Sequence, residues 1–166
     1  SDQDIILAPS QSDESLPERM LLFIPGAGVP TENYRATAEA IQQAAIGLRL
    51  HVVIPAITLR KCIIQCSSSS TCFPLKNTVD AALAKSSFKG TNAKEDTFVA
   101  GHSMGSICAN NFVTGYSYGY AGLLEFGGYV DKEGNSSVSQ YPIPVLHLSG
   151  ELDGGAARPG KLSLFY

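Results

Sequence analysis

The sequence predicts an α/β domain built on a mainly parallel sheet of at least five strands flanked by helices. Short apolar runs alternate with stretches of helical periodicity, the pattern of strand-helix-strand units whose long crossovers impose parallel pairing. Glycine-rich turns follow two of the runs, at Pro25-Gly26-Ala27-Gly28 and again at Gly101, where a buried strand would pass directly into a helix. The length, 166 residues, suits a single core and leaves no room for a second domain.

The elements follow in order. Residues 1–18 are polar with Pro9 and Pro17 and read as an extended lead-in to a domain over 19–166. Met20 to Ile24 is a buried strand. A helix is expected from Thr31 to Ala45, with Tyr34, Ala38, Ile41 and Ala45 on one face. Leu48 to Ile57 is the second strand, and the serine run Ser67 to Ser70 is a loop. A helix is expected to start near Asn77, with Asn77 as cap and Asp80 at the capping-box position. Thr97 to Ala100 is the third strand, Met104 to Thr114 a helix with small residues Ser106 and Ala109 for close packing, and Ala121 to Phe126 and Val145 to Ser149 the last two strands.

Composition excludes some partners. Twelve Lys+Arg against 15 Asp+Glu give a net charge of −3, and no basic cluster offers a footprint for nucleic acid. The longest apolar run, Met20 to Ile24, is far below the about 18–20 residues of a transmembrane helix. Ser1 to Glu14 has no basic-then-apolar signal pattern. Three of the four cysteines, Cys62, Cys66 and Cys72, crowd one segment. A disulfide pinning that loop is one reading and reduced thiols another; zinc needs four ligands in closely spaced pairs, and no histidine lies nearby. Asn135-Ser136-Ser137 is an N-glycosylation acceptor pattern. It tilts localisation toward secretion, with the cytoplasm still open.

Two segments match G-x-S-x-G, Gly101-His102-Ser103-Met104-Gly105 and Gly115-Tyr116-Ser117-Tyr118-Gly119. The pattern alone is weak; its context decides. A nucleophilic serine needs a sharp strand-to-helix turn that exposes Oγ and aims helix N–H groups at a developing oxyanion. The first match follows a strand and opens a helix. The second follows a helix and precedes a strand, so Ser117 reads as a helix exit.

With Leu22-Phe23-Ile24-Pro25-Gly26-Ala27-Gly28 before it and Val145-Leu146-His147-Leu148-Ser149-Gly150-Glu151-Leu152-Asp153-Gly154 after it, the chain resembles the α/β-hydrolase superfamily. It is most similar to small lidless serine esterases of the dienelactone-hydrolase-like and chlorophyllase-like kind. The resemblance covers residues 20–154 and implies Ser103 as nucleophile, Asp153 as triad acid with Glu151 the weaker choice, and the backbone N–H groups of Ala27 and Met104 as the oxyanion hole. It implies hydrolysis of a small-molecule carboxylic ester through an acyl-enzyme, with no metal or organic cofactor. Ester and thioester remain open. The segment from Gly127 to Pro144 is too short for a large cap, which suits an open cleft.

The base is the gap. The expected order is serine, acid, histidine, and no histidine follows Asp153. His51 and His147 fall within presumed strands. His102, beside the nucleophile on a sharp turn, is expected to point away from it. The sequence therefore reads as an α/β-hydrolase core lacking its C-terminal, histidine-bearing part, with Leu162 to Tyr166 resembling the start of the next helix. Two expectations follow: an exposed sheet edge at 145–149 through which copies could associate, and an activity in doubt. The alternative is a non-catalytic α/β-hydrolase-fold binding or interaction domain.

Overall fold

The computed structural model describes residues 2–128, 141–149 and 163–165. Its strands are β1 (Ile5–Leu7), β2 (Glu18–Ile24), β3 (Arg49–Ile54), β4 (Thr97–His102), β5 (Gly122–Phe126), β6 (Val145–Leu148) and β7 (Ser163–Phe165). They form one sheet in the order β1-β3-β2-β4-β5-β6-β7. The five inner strands are parallel; β1 and β7 run antiparallel at the two edges. The helices are α1 (Arg35–Ala44), α2 (Phe73–Leu83), the short α3 (Ala93–Asp96) and α4 (Met104–Gly115).

Strand alternation sorts the apolar side chains onto two faces. Met20, Leu22 and Ile24 join Val99, Leu123 and Val145 in a core with Leu75 and Val79 of α2 and Phe112 of α4. Leu21, Phe23, Val52, Ile54 and Ala100 form the opposite core with Tyr34 and Ala38. The expected helical face of Tyr34, Ala38, Ile41 and Ala45 is thus the face laid on the sheet. Its first turn is a 3-10 turn over Thr31–Tyr34.

Several elements differ from expectation. The polar lead-in is not merely extended: Ile5, Ile6 and Leu7 pair antiparallel with Ile54, Val53 and Val52, satisfying the outer backbone of β3. Helix α2 begins at Phe73 rather than near Asn77, because Pro74 in its first turn supplies a preset helical φ where no N–H is needed. Asn77 is interior to the helix, and Asp80 accepts from Lys76 Nζ at 2.5 Å one turn earlier instead of closing a capping box. Residues 163–165 are a strand, not the start of a helix, and they cover the β6 edge by pairing with Val145–His147. The edge expected to be free at 145–149 is therefore covered along Val145–His147, against the expectation of an open edge there.

The cysteine loop also closes differently. Cys66 pairs with Cys72 within the loop, but Cys62 reaches Cys108 on α4. All four cysteines are paired and none is free. The core on that side is completed by buried sulfur.

The strand order positions the site. From β2 the chain moves outward to β3, then crosses back to place β4 on the other side of β2. Loops leaving the C-terminal ends of β2 and β4 therefore diverge, and a crevice opens between them. Ile24 and Gly101 are the last register partners between these two strands.

Candidate active site

The loop from Pro25 and the turn at Ser103 are the two walls of that crevice. Ser103 lies between β4 and α4 with φ 52° and ψ −122°, a backbone conformation that non-glycine residues rarely hold. It is exposed, and its own N–H is anchored on the Phe126 carbonyl at 2.8 Å. The flanking glycines are required by space. A Cβ on Gly101 would run into the Gly105 carbonyl, and a Cβ on Gly105 into the carbonyl of Ile24 at the end of β2. Helix α4 thus enters directly against two strand ends, and Ser106 Oγ fastens it by donating to the Gly101 carbonyl at 2.7 Å.

The N–H groups of the opposing loop can be followed one by one. Pro25 has none. Gly26 donates to the Tyr34 hydroxyl at 2.8 Å, Gly28 to the Arg60 carbonyl at 2.8 Å, and Val29 back to the Gly26 carbonyl at 3.3 Å. Ala27 alone in this loop has no acceptor among the described residues. Across the crevice Met104, first residue of α4, is one of the orphan donors that every helix start leaves. The macrodipole of the twelve-residue α4 adds positive potential there.

The second G-x-S-x-G segment is a helix exit, as expected. Ser117 and Tyr118 have positive φ, and Tyr118 N–H donates to the Val113 carbonyl at 2.9 Å, a Schellman-type ending. Asp153, Glu151 and Asn135 lie outside the described residues.

The histidines fall in three different settings. His51 is 1% exposed in β3, opposite Met20 near the start of the strands, away from Ser103; its ring meets Phe88 edge-on. Burial holds its pKa below the usual histidine value, against the pull of Glu18. His102 turns its Nδ1 to the Tyr34 hydroxyl at 2.8 Å. His147 places Nδ1 3.3 Å from Glu125 Oε2 on the neighbouring strand. Ser103 Oγ has no hydrogen-bond partner among the described residues, and none of these rings is set as its base.

Glu125 has no counterpart among the residues singled out from the sequence. It is fully buried in register with His147, and its Oε1 has no partner among the described residues. Burial pushes its pKa from the ordinary 4.5 up to about 8. The native state thus keeps a proton that the unfolded chain releases. Its contribution to stability is full below pH 4.5 and is lost as pH rises to about 8. Urea unfolding across this window should show stability falling by a few kcal/mol, since each unit is worth about 1.4 kcal/mol. Glu125→Gln should flatten the slope; an unchanged slope would assign the pH dependence elsewhere.

An apolar cavity of about 310 Å³, lined by Leu21, Ile41, Leu50, Phe98, Leu124 and Leu146 among others, opens between α1 and the sheet. Neither Ser103 nor the Pro25–Val29 loop borders it, so it is separate from the crevice. Among the described residues no three His, Cys, Asp and Glu side chains gather as a metal site, and no helix is long and apolar enough to cross a membrane.

The fold recurs in known proteins. No protein-family model matches the sequence, and no curated protein does either. Solved structures do. A dienelactone hydrolase-like promiscuous phosphotriesterase from metagenomic libraries superposes with a TM-score of 0.57 at 12% identity, over 90% of this chain and 70% of its own. The fluorophosphonate-binding serine hydrolase FphF of Staphylococcus aureus does so with a TM-score of 0.54 at 19% identity, over 80% and 56%. An S-formylglutathione hydrolase of the same organism gives 0.52 at 15% identity, over 75% and 52%. The chain has the α/β-hydrolase fold. It spans little more than half the length of two of these three.

Proposed function

We propose that the chain is the core of a carboxylic ester hydrolase acting through an acyl-enzyme on Ser103. The observation that carries this reading is the backbone of Ser103, held at φ 52° on a strand-to-helix turn. Such strain persists where its surroundings over-determine it, and it gathers at functional sites. Two glycines excluded from any larger residue supply that constraint here.

In the proposed reaction Ser103 Oγ attacks the ester carbonyl, the alcohol leaves with a proton, and water hydrolyses the acyl group from Oγ. The N–H groups of Ala27 and Met104 receive the oxyanion; removing one such donor costs about 10²–10³ in kcat where it has been measured. Asp153 would orient the base. Without a base the nucleophile and oxyanion hole give only residual catalysis, of order 10³–10⁴ over water. Two disulfides, together with the acceptor pattern at Asn135, support an oxidising, secretory setting.

A fluorophosphonate probe tests the reading because its phosphorus mimics the attacked carbonyl. The native chain is expected to be labelled at the slow, residual rate of a serine without its base, Ser103→Ala to lose all labelling, and Ser117→Ala to retain it. A folded native chain that takes no label would favour the non-catalytic binding domain instead.

A further inference from the structure

We infer that Tyr34 and His102 are positioning residues that join the two walls of the crevice, fixing the Ala27 amide relative to Ser103, with His102 in the tautomer that carries its proton on Nε2. The inference rests on the hydrolase reading for its catalytic consequence, but its structural half stands on hydrogen-bond accounting alone.

The Tyr34 hydroxyl has one proton to give and two lone pairs to offer. It takes the Gly26 N–H at 2.8 Å. Its other neighbour is His102 Nδ1, also at 2.8 Å. Tyr34 is only 8% exposed, and Gly26 and His102 are the two partners its hydroxyl has among the described residues. Were His102 to donate from Nδ1, the phenol would accept twice and its own proton would have no acceptor. Both groups are satisfied in one arrangement: Gly26 N–H donates to Tyr34, and Tyr34 O–H donates to an unprotonated Nδ1. Burial raises the Tyr34 pKa, which keeps the phenol proton in place for this purpose.

The relay links the parts that must keep register. Gly26 immediately precedes Ala27, and His102 immediately precedes Ser103. The Gly26 carbonyl is held by Val29 N–H, and because a trans peptide points its N–H opposite its carbonyl, the Ala27 N–H is turned away from that contact. With Gly26 N–H pinned by Tyr34 as well, both peptide planes around Gly26 are fixed. The approach is close enough to require glycine: a Cβ at Gly26 would lie 2.8 Å from His102 Nδ1 and 3.0 Å from the Tyr34 hydroxyl. The Tyr34 ring is itself seated against Phe23 at 5.1 Å between centroids.

The test uses the full chain and three readouts. Nitrogen NMR of the native His102 ring is expected to show Nδ1 unprotonated, and Gly26 amide exchange to be slow. Tyr34→Phe should speed that exchange and slow the limiting rate of fluorophosphonate labelling about tenfold, the scale of one lost hydrogen bond, with the concentration for half-saturation unchanged. His102→Leu should do the same in part, and His102→Asn, whose amide oxygen can stand near the Nδ1 position, should recover toward the native rate. A native ring protonated on Nδ1 overturns the inference without needing any variant to fold. A labelled native chain whose Tyr34→Phe variant reacts equally fast also overturns it and leaves the hydrolase reading intact. A native chain that is not labelled at all overturns the hydrolase reading itself.

Discussion

Replacing Cys62 and Cys108 together by alanine is expected to lower the unfolding free energy by about 4 kcal/mol, whereas the same change at Cys66 and Cys72 should cost about 2 kcal/mol. The difference follows from the chain each bridge closes. The first spans a sequence separation of 46 and the second only 6, and a cross-link restricts the unfolded chain more as the loop it closes grows. All four cysteines are buried in the native state; alanine leaves small cavities at either pair, and these largely cancel in the comparison. Urea unfolding of the two double variants beside the native chain gives the numbers. Equal losses, or a larger loss for the short loop, would sink this account.

The long bridge also bears on the site. Cys108 lies little more than one turn along α4 from Ser103, and Cys62 is two residues beyond Arg60, whose carbonyl holds the Gly28 N–H. Opening the bridge therefore loosens the nucleophile helix from the segment that secures the oxyanion loop. Labelling of Ser103 should fall in the Cys62/Cys108 variant beyond what its folded fraction explains, and should be nearly unaffected in the other.

Much of this arrangement was legible because it is encoded locally. The α1 face is a matter of periodicity, and the choice of Ser103 over Ser117 needed only the order strand, turn, helix. What escaped is non-local or depends on weighing two local signals. Ile5 to Leu7 is too short to declare itself as a strand and is one only because β3 has an unpaired side. Asn77 and Asp80 imitate a capping box, but Phe73-Pro74 is the stronger start signal and lies one turn earlier. Cys108 sits in an apolar helix stretch, with nothing in its neighbourhood to announce a partner 46 residues away. Apolar periodicity places Tyr34 on the buried face of a helix, yet it is blind to a hydroxyl at the ring's end. Glu125, inside Leu123-Leu124-Glu125-Phe126, did break an apolar strand, and a carboxylate in such a place is itself a signal of an unusual environment.

The fold makes a sharp demand on a single residue at Gly105. Gly105→Ala is expected to destabilise the chain by roughly 3 kcal/mol, the upper range for overpacking, and to abolish Ser103 labelling in whatever fraction remains folded. A clash with a flexible side chain could be relieved by a rotamer change, but the added Cβ would meet the backbone carbonyls of Ile24 and Pro25. Only moving α4 away from the end of β2 makes room. That movement carries Met104 N–H and Ser103 away from the Ala27 wall, so the stability loss and the activity loss have one cause. Gly28→Ala is the control. Gly28 has φ +73° with nothing within 4 Å of where a Cβ would stand, so its cost is conformational only, about 1 kcal/mol, and the crevice keeps its width. Thermal unfolding and probe labelling of both variants separate the two effects. If Gly105→Ala were as stable and as reactive as Gly28→Ala, close approach of the helix to β2 would not be what holds Ser103 in its strained turn, because relieving that approach would have changed nothing at the serine.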